Sequence, residues 1–62
     1  MHGYYDAVIQ QLRLAGYSWY RQGKGSHEIW TNGLRHQIVS RNISSRHMAN
    51  EIMKQAGIAH RF

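Results

Sequence analysis

Arg21 to Trp30 reads Arg-Gln-Gly-Lys-Gly-Ser-His-Glu-Ile-Trp. Within it, Gly23-Lys24-Gly25-Ser26-His27 packs five chemically useful residues together. The glycines allow backbone shapes that other residues resist. Lys24 supplies a cation and Ser26 a hydroxyl. His27 belongs to the residue type that exchanges protons near neutral pH. A phosphate-cradling P-loop is one chemistry to test, but its pattern is Gly-x-x-x-x-Gly-Lys-Ser/Thr between a strand and a helix. Here Ser18 stands where the first glycine belongs, and Gly25 follows Lys24. The P-loop reading fails.

Metal-assisted cleavage needs clustered carboxylates. Asp6, Glu28 and Glu51 fall in three separate stretches. A zinc site would rest on His2, His27, His36, His47 and His60, since the chain has no cysteine, and no two of these make a short His-x3-His pair. The expectation is a site without metal or cofactor. Metal-free acid–base chemistry remains. RNA carries its own nucleophile in the 2′-hydroxyl, and a histidine can remove that proton while cations stabilise the charged transition state. DNA lacks that hydroxyl. His27 is the candidate catalytic group. Lys24 is the phosphate or transition-state cation, Gly25 and Ser26 shape the approach, and Arg21 adds an RNA-binding cation.

The elements that position these residues can be read from periodicity. Tyr5, Val8, Ile9 and Leu12 form the apolar stripe of a helix from about Tyr4 to Ala15, closed by Gly16. Tyr17 to Gln22 is aromatic-rich and reads as a strand. Ser26 to Thr31 reads as a second strand, Asn32-Gly33 as a hairpin turn, and Leu34 to Ser40 as a third strand. Arg41 to Ser44 is a polar connection, with Ser44 or Ser45 as N-cap. Met48, Ala49, Ile52, Met53 and Ala56 form a second helical stripe, closed by Gly57, and Ile58 to Phe62 is a short tail. The expected fold is α+β, in the order α-β-β-β-α: a three-stranded antiparallel sheet with two helices packed on one face and the opposite face open.

With Asn32-Gly33 as a two-residue loop, Thr31 faces Leu34 and His27 faces Ile38. One sheet face then carries His27, Ile29, Thr31, Leu34, His36 and Ile38. The other carries Ser26, Glu28, Trp30, Arg35, Gln37 and Val39. The first set holds more aliphatics, which assigns it to the covered face and His27 to the rim of the core. His36 then lies diagonally across from His27, as a candidate second proton-transfer group. A slip of one residue would reverse the faces.

Composition bounds the partners. Sixty-two residues make one small domain, which buries only about 60% of its unfolded surface. The absence of cysteine fits a reducing cytosol. The amino end lacks a basic start followed by an apolar run, and no stretch approaches the ~20 apolar residues that cross a bilayer; a cytoplasmic protein is expected. Eight Lys/Arg against three Asp/Glu give a net charge of +5, and every cation but Lys24 and Lys54 is arginine. Arginine's planar fork suits phosphate, so a polyanion is the expected partner. The same charge serves two other functions: a non-catalytic RNA-binding module, or an interaction protein docking on an acidic partner.

Gly16-Tyr17, Arg21-Gln22-Gly23-Lys24-Gly25-Ser26-His27 and Ile52-Met53-Lys54-Gln55-Ala56-Gly57-Ile58 together resemble the HicA family of toxins, the partners of HicB antitoxins in bacterial toxin–antitoxin pairs. The likeness runs from the first helix to Ile58, and Gly-Ser-His is its most specific mark. The resemblance implies a single domain over residues 1–62 with a fold like a double-stranded RNA-binding domain. It implies an endoribonuclease that cleaves mRNA through the histidine of Gly-Ser-His, here His27. It also implies a monomeric free toxin and a HicB-type antitoxin that covers the site. Many relatives carry Pro-x-His after the third strand; this chain has Ser40-Arg41-Asn42 there and no proline. His47 lies near enough in sequence to be a candidate for the missing role.

Overall fold

A computed structural model describes residues 3–62; His2 and the very start of the amino-terminal stretch discussed above lie outside the described residues. The elements run α1 (Tyr5–Leu14), β1 (Ser18–Gln22), β2 (His27–Thr31), β3 (His36–Ser40) and α2 (Arg46–Gln55). The sheet is antiparallel with strand order β1-β2-β3. This is the expected α+β arrangement. The molecule measures 29 × 28 × 15 Å, a slab one sheet and one helix layer thick.

Both helices end by the same device. Gly16 and Gly57 take positive φ, 92° and 77°. Gly16 N–H donates to Arg13 O and Tyr17 N–H to Leu12 O; Gly57 N–H donates to Lys54 O and Ile58 N–H to Met53 O. These paired bonds are the Schellman motif, which satisfies carbonyls that a helix end leaves free. The residue after each glycine turns inward: Tyr17 is buried and Ile58 packs against the core. Ser45, one of the two expected caps, starts α2 by accepting from Met48 N–H at 3.2 Å.

α1 buries Val8, Ile9 and Leu12, and α2 buries Ala49, Ile52 and Met53. With Trp30, Val39 and Ile43 they form one core cluster. Ile43 corrects the reading of 41–44 as simply polar. It is fully buried, and its carbonyl accepts from Tyr4 N–H at 2.8 Å, tying the connection to the start of α1.

The hairpin register differs from expectation. Thr31 pairs with His36, Trp30 with Gln37, Ile29 with Ile38, Glu28 with Val39 and His27 with Ser40. The connection is therefore Asn32 to Arg35 rather than Asn32-Gly33 alone. The cause is the Asn32 side chain. Its Oδ1 accepts from Leu34 N–H at 3.0 Å and Arg35 N–H at 2.8 Å, while Thr31 Oγ1 accepts from Gly33 N–H at 3.0 Å. Side-chain turns of this kind close a longer loop. Leu34 sits at its tip, 96% exposed, instead of under a helix.

The slip is two residues, so the partition of side chains between faces survives, but the covered face is the other one. Glu28, Trp30, Gln37 and Val39 are buried, while His27, His36 and Ile38 are exposed. Counting aliphatics misled because Trp30 outweighs them, burying a large ring, and because the polar members of its face find partners. Glu28 Oε1 accepts from Tyr5 O–H at 2.6 Å and Trp30 Nε1–H at 3.0 Å. Gln37 donates to Gln55 Oε1 at 2.9 Å. Among the described residues no buried side-chain nitrogen or oxygen lacks a partner.

Candidate active site

β1 ends and β2 begins around a four-residue turn, Gly23 to Ser26, built by backbone and one side chain. Gly23 N–H donates to His27 O at 2.9 Å, and His27 N–H to Lys24 O at 3.1 Å. Gln22 Nε2 donates to both Gly25 O (3.0 Å) and His27 O (2.9 Å), bracing the turn from within. Gly25 holds φ at +63°, and a Cβ there would meet nothing within 4 Å. Its glycine therefore answers to backbone conformation, not to crowding. Gly23 is the reverse case: a Cβ would lie 3.1 Å from His27 O and 3.4 Å from His27 Cβ.

His27 emerges from this turn on the open face of the sheet, exposed rather than at the rim of the core. Its Nδ1 lies 3.1 Å from Lys24 O. A carbonyl only accepts, so Nδ1 carries the hydrogen, and in the neutral ring Nε2 is left with its lone pair. That lone pair is the form a general base needs. One carbonyl therefore favours both this rotamer and this tautomer.

The other predicted residues surround it with unequal roles. The Lys24 side chain is exposed and enters no ion pair among the described residues. The amide N–H groups of Gly25 and Ser26 likewise donate to no protein acceptor among those residues. Successive free amides beside a cation suit an anion. Ser26 O accepts from Arg41 N–H at 2.9 Å, which joins the turn to the end of β3. Arg21 pairs across from Ile29, two positions from His27 on the same open face. It reaches that face because of a bulge: the register shifts between Trp19 and Arg21, leaving Tyr20 as the extra residue. Tyr20 packs edge-on against His36, with centroids 5.0 Å apart.

His36 is not beside His27. It faces Thr31, four positions along β2, or roughly 13 Å away at the usual strand rise. The diagonal pairing expected above fails with the register that produced it. Across from His27 stands Ser40 instead. A groove of about 300 Å³ runs beside them, lined by His27, Ile38 and Ser40 from the sheet and by His47, Met48 and Glu51 among others from α2. A larger cavity of about 470 Å³ lies between the start of α1 and the β3–α2 connection. It sets Asp6 near Arg41 and holds no histidine.

Two contributors went unrecognised in the sequence. Gln22 braces the turn, and its only signal was a long amide next to a double-glycine loop. Ser40 came to His27 only through the true register. No group of three or more His, Asp or Glu suited to a metal ion occurs among the described residues, and no helix there is long and apolar enough to cross a membrane. Comparison of the chain with protein-family models, with curated proteins and with solved structures finds no match.

Proposed function

We propose that this protein is a metal-independent endoribonuclease, a HicA-type toxin that acts on mRNA in the cytoplasm and is held inactive by a HicB-type antitoxin. The observation that carries the reading is the Nδ1 contact of His27 with Lys24 O on an exposed surface. It leaves Nε2 free to take the proton of a 2′-hydroxyl. The resulting oxyanion attacks the adjacent phosphorus, and the bond to the 5′-oxygen breaks. The products are a 2′,3′-cyclic phosphate and a 5′-hydroxyl end, with no water consumed. Lys24 and the free amides of Gly25 and Ser26 stabilise the added charge on the non-bridging oxygens. Arg21 and Arg46 extend the cationic surface. The antitoxin follows from the family resemblance, and a basic site open on one whole face suits a protein cover.

A second reading rests on a different observation. Trp19 and Tyr20 are each 53% exposed. Exposed rings beside Arg21 are what a stacking platform for unpaired bases requires. In that case the protein binds RNA without cutting it.

Incubating RNA with the wild-type protein and with His27→Ala, in EDTA, separates the two. Cleavage by the wild type alone, with a drop of about 10²–10⁴-fold in the variant, supports the enzyme. Equal cleavage by both sinks the role of His27. Binding without cleavage by either supports the platform.

A further inference from the structure

Transphosphorylation moves two protons. One leaves the 2′-oxygen, and one must reach the departing 5′-oxygen. His27 accounts for the first. The sequence offers His36, His47 and His60 as sources of the second among the described residues. His36 stands at the far end of the hairpin against Tyr20. His60 packs edge-on against Phe62, with centroids 4.7 Å apart. Only His47 lines the same groove as His27. The groove they share has a volume of about 300 Å³ and opens to solvent.

We propose that His47, which lines the β3–α2 groove together with His27, is the general acid that protonates the leaving 5′-oxygen; this rests on the ribonuclease reading above. His47 lies in the first turn of α2, two residues after the Ser45 cap. Glu51, one helical turn on, lines the same groove. In the reaction His27 Nε2 takes the proton from O2′, O2′ bonds to phosphorus, and the P–O5′ bond breaks. The protonated His47 then gives its proton to O5′. The two histidines finish with exchanged protonation states and are restored through solvent. Ile38 and Met48, 58% and 38% exposed, form an apolar wall on which the leaving nucleoside can rest.

The test uses His47→Ala and His47→Gln against two substrates: ordinary RNA, and the same RNA with sulfur in place of the scissile 5′-oxygen. A thiolate leaves without being protonated. Both variants should lose about 10²–10⁴-fold on ordinary RNA and no more than a few-fold on the sulfur substrate. His27→Ala should lose activity on both. His47 is exposed, so both variants should keep the wild-type thermal midpoint. Equal loss on the two substrates, or no loss on either, overturns the role of His47 and leaves that of His27 standing. A wild-type protein that cleaves neither substrate overturns the ribonuclease reading, and His47 falls with it.

Discussion

Replacing Glu28 with alanine tests the orientation of the whole sheet. Glu28 is only 7% exposed and holds three partners. Its Oε1 accepts from Tyr5 O–H and from Trp30 Nε1–H, and its Oε2 lies 3.7 Å from Arg41 Nε. In Glu28→Ala the Trp30 N–H, on a ring only 3% exposed, loses its acceptor. A buried donor left unpaired costs about 1–3 kcal/mol. The bond from Tyr5 adds about 1 kcal/mol, because that phenol is half-exposed and water can replace part of it. The Arg41 pair adds little, since the arginine side is 62% exposed and such pairs are worth about 0–1 kcal/mol. The total is about 3 kcal/mol, against a stability of roughly 3–9 kcal/mol for a chain of this size. Glu28→Gln keeps an acceptor at the Oε1 position and loses only the charge, so about 1 kcal/mol is expected, or a drop of roughly 4–8 °C in thermal midpoint. Urea titrations followed by tryptophan fluorescence give both values. If both variants fall within about 0.5 kcal/mol of the wild type, Glu28 faces solvent. Because neighbours on a strand point to opposite faces, His27 would then face the helices, and the site described above would not exist.

The remaining predictions concern the same cluster and the turn. Burial, and then the hydrogen bond to the Glu28 carboxylate, push the Tyr5 phenol up to about 12. The fold therefore favours the protonated phenol, so this contribution is intact below pH ~10 and is lost as pH rises through about 12; Tyr5→Phe should flatten that limb of a stability–pH curve. Gly25→Ala should cost about 1–2 kcal/mol through its left-handed backbone alone, and Gly25→Asn less, as chemical denaturation would show. Gln22→Ala removes both braces of the turn, and should cost about 1 kcal/mol in stability and up to ~10²-fold in cleavage rate through displacement of His27. Lys24→Ala should lower the slope of log binding constant against log salt by about 1 in an RNA titration, uniformly across sequences.

The sequence by itself determined what depends on local order along the chain. Both helices announced themselves by stripes at helical spacing, and both ended at the glycines that their Schellman motifs require. Gly23 to His27 declared a tight turn presenting a histidine, because glycine, cation and imidazole were consecutive. Even the division of β2 and β3 side chains into two sets was legible, since alternation is a property of one strand and survives an even shift in pairing.

What only the tertiary structure decided is which set faces the helices and which distant residues meet. The turn length depended on Asn32 bonding to the backbone of Leu34 and Arg35. The choice of face depended on whether Glu28 could find donors in Tyr5, 23 residues away, and in Trp30. A buried carboxylate is costly alone and tolerable once satisfied, and that balance is absent from any local window. The same long-range assembly removed His36 from the site and brought Ser40 and His47 to it. Periodicity reports the shape of one element; the residues that surround His27 are settled by how the elements pack.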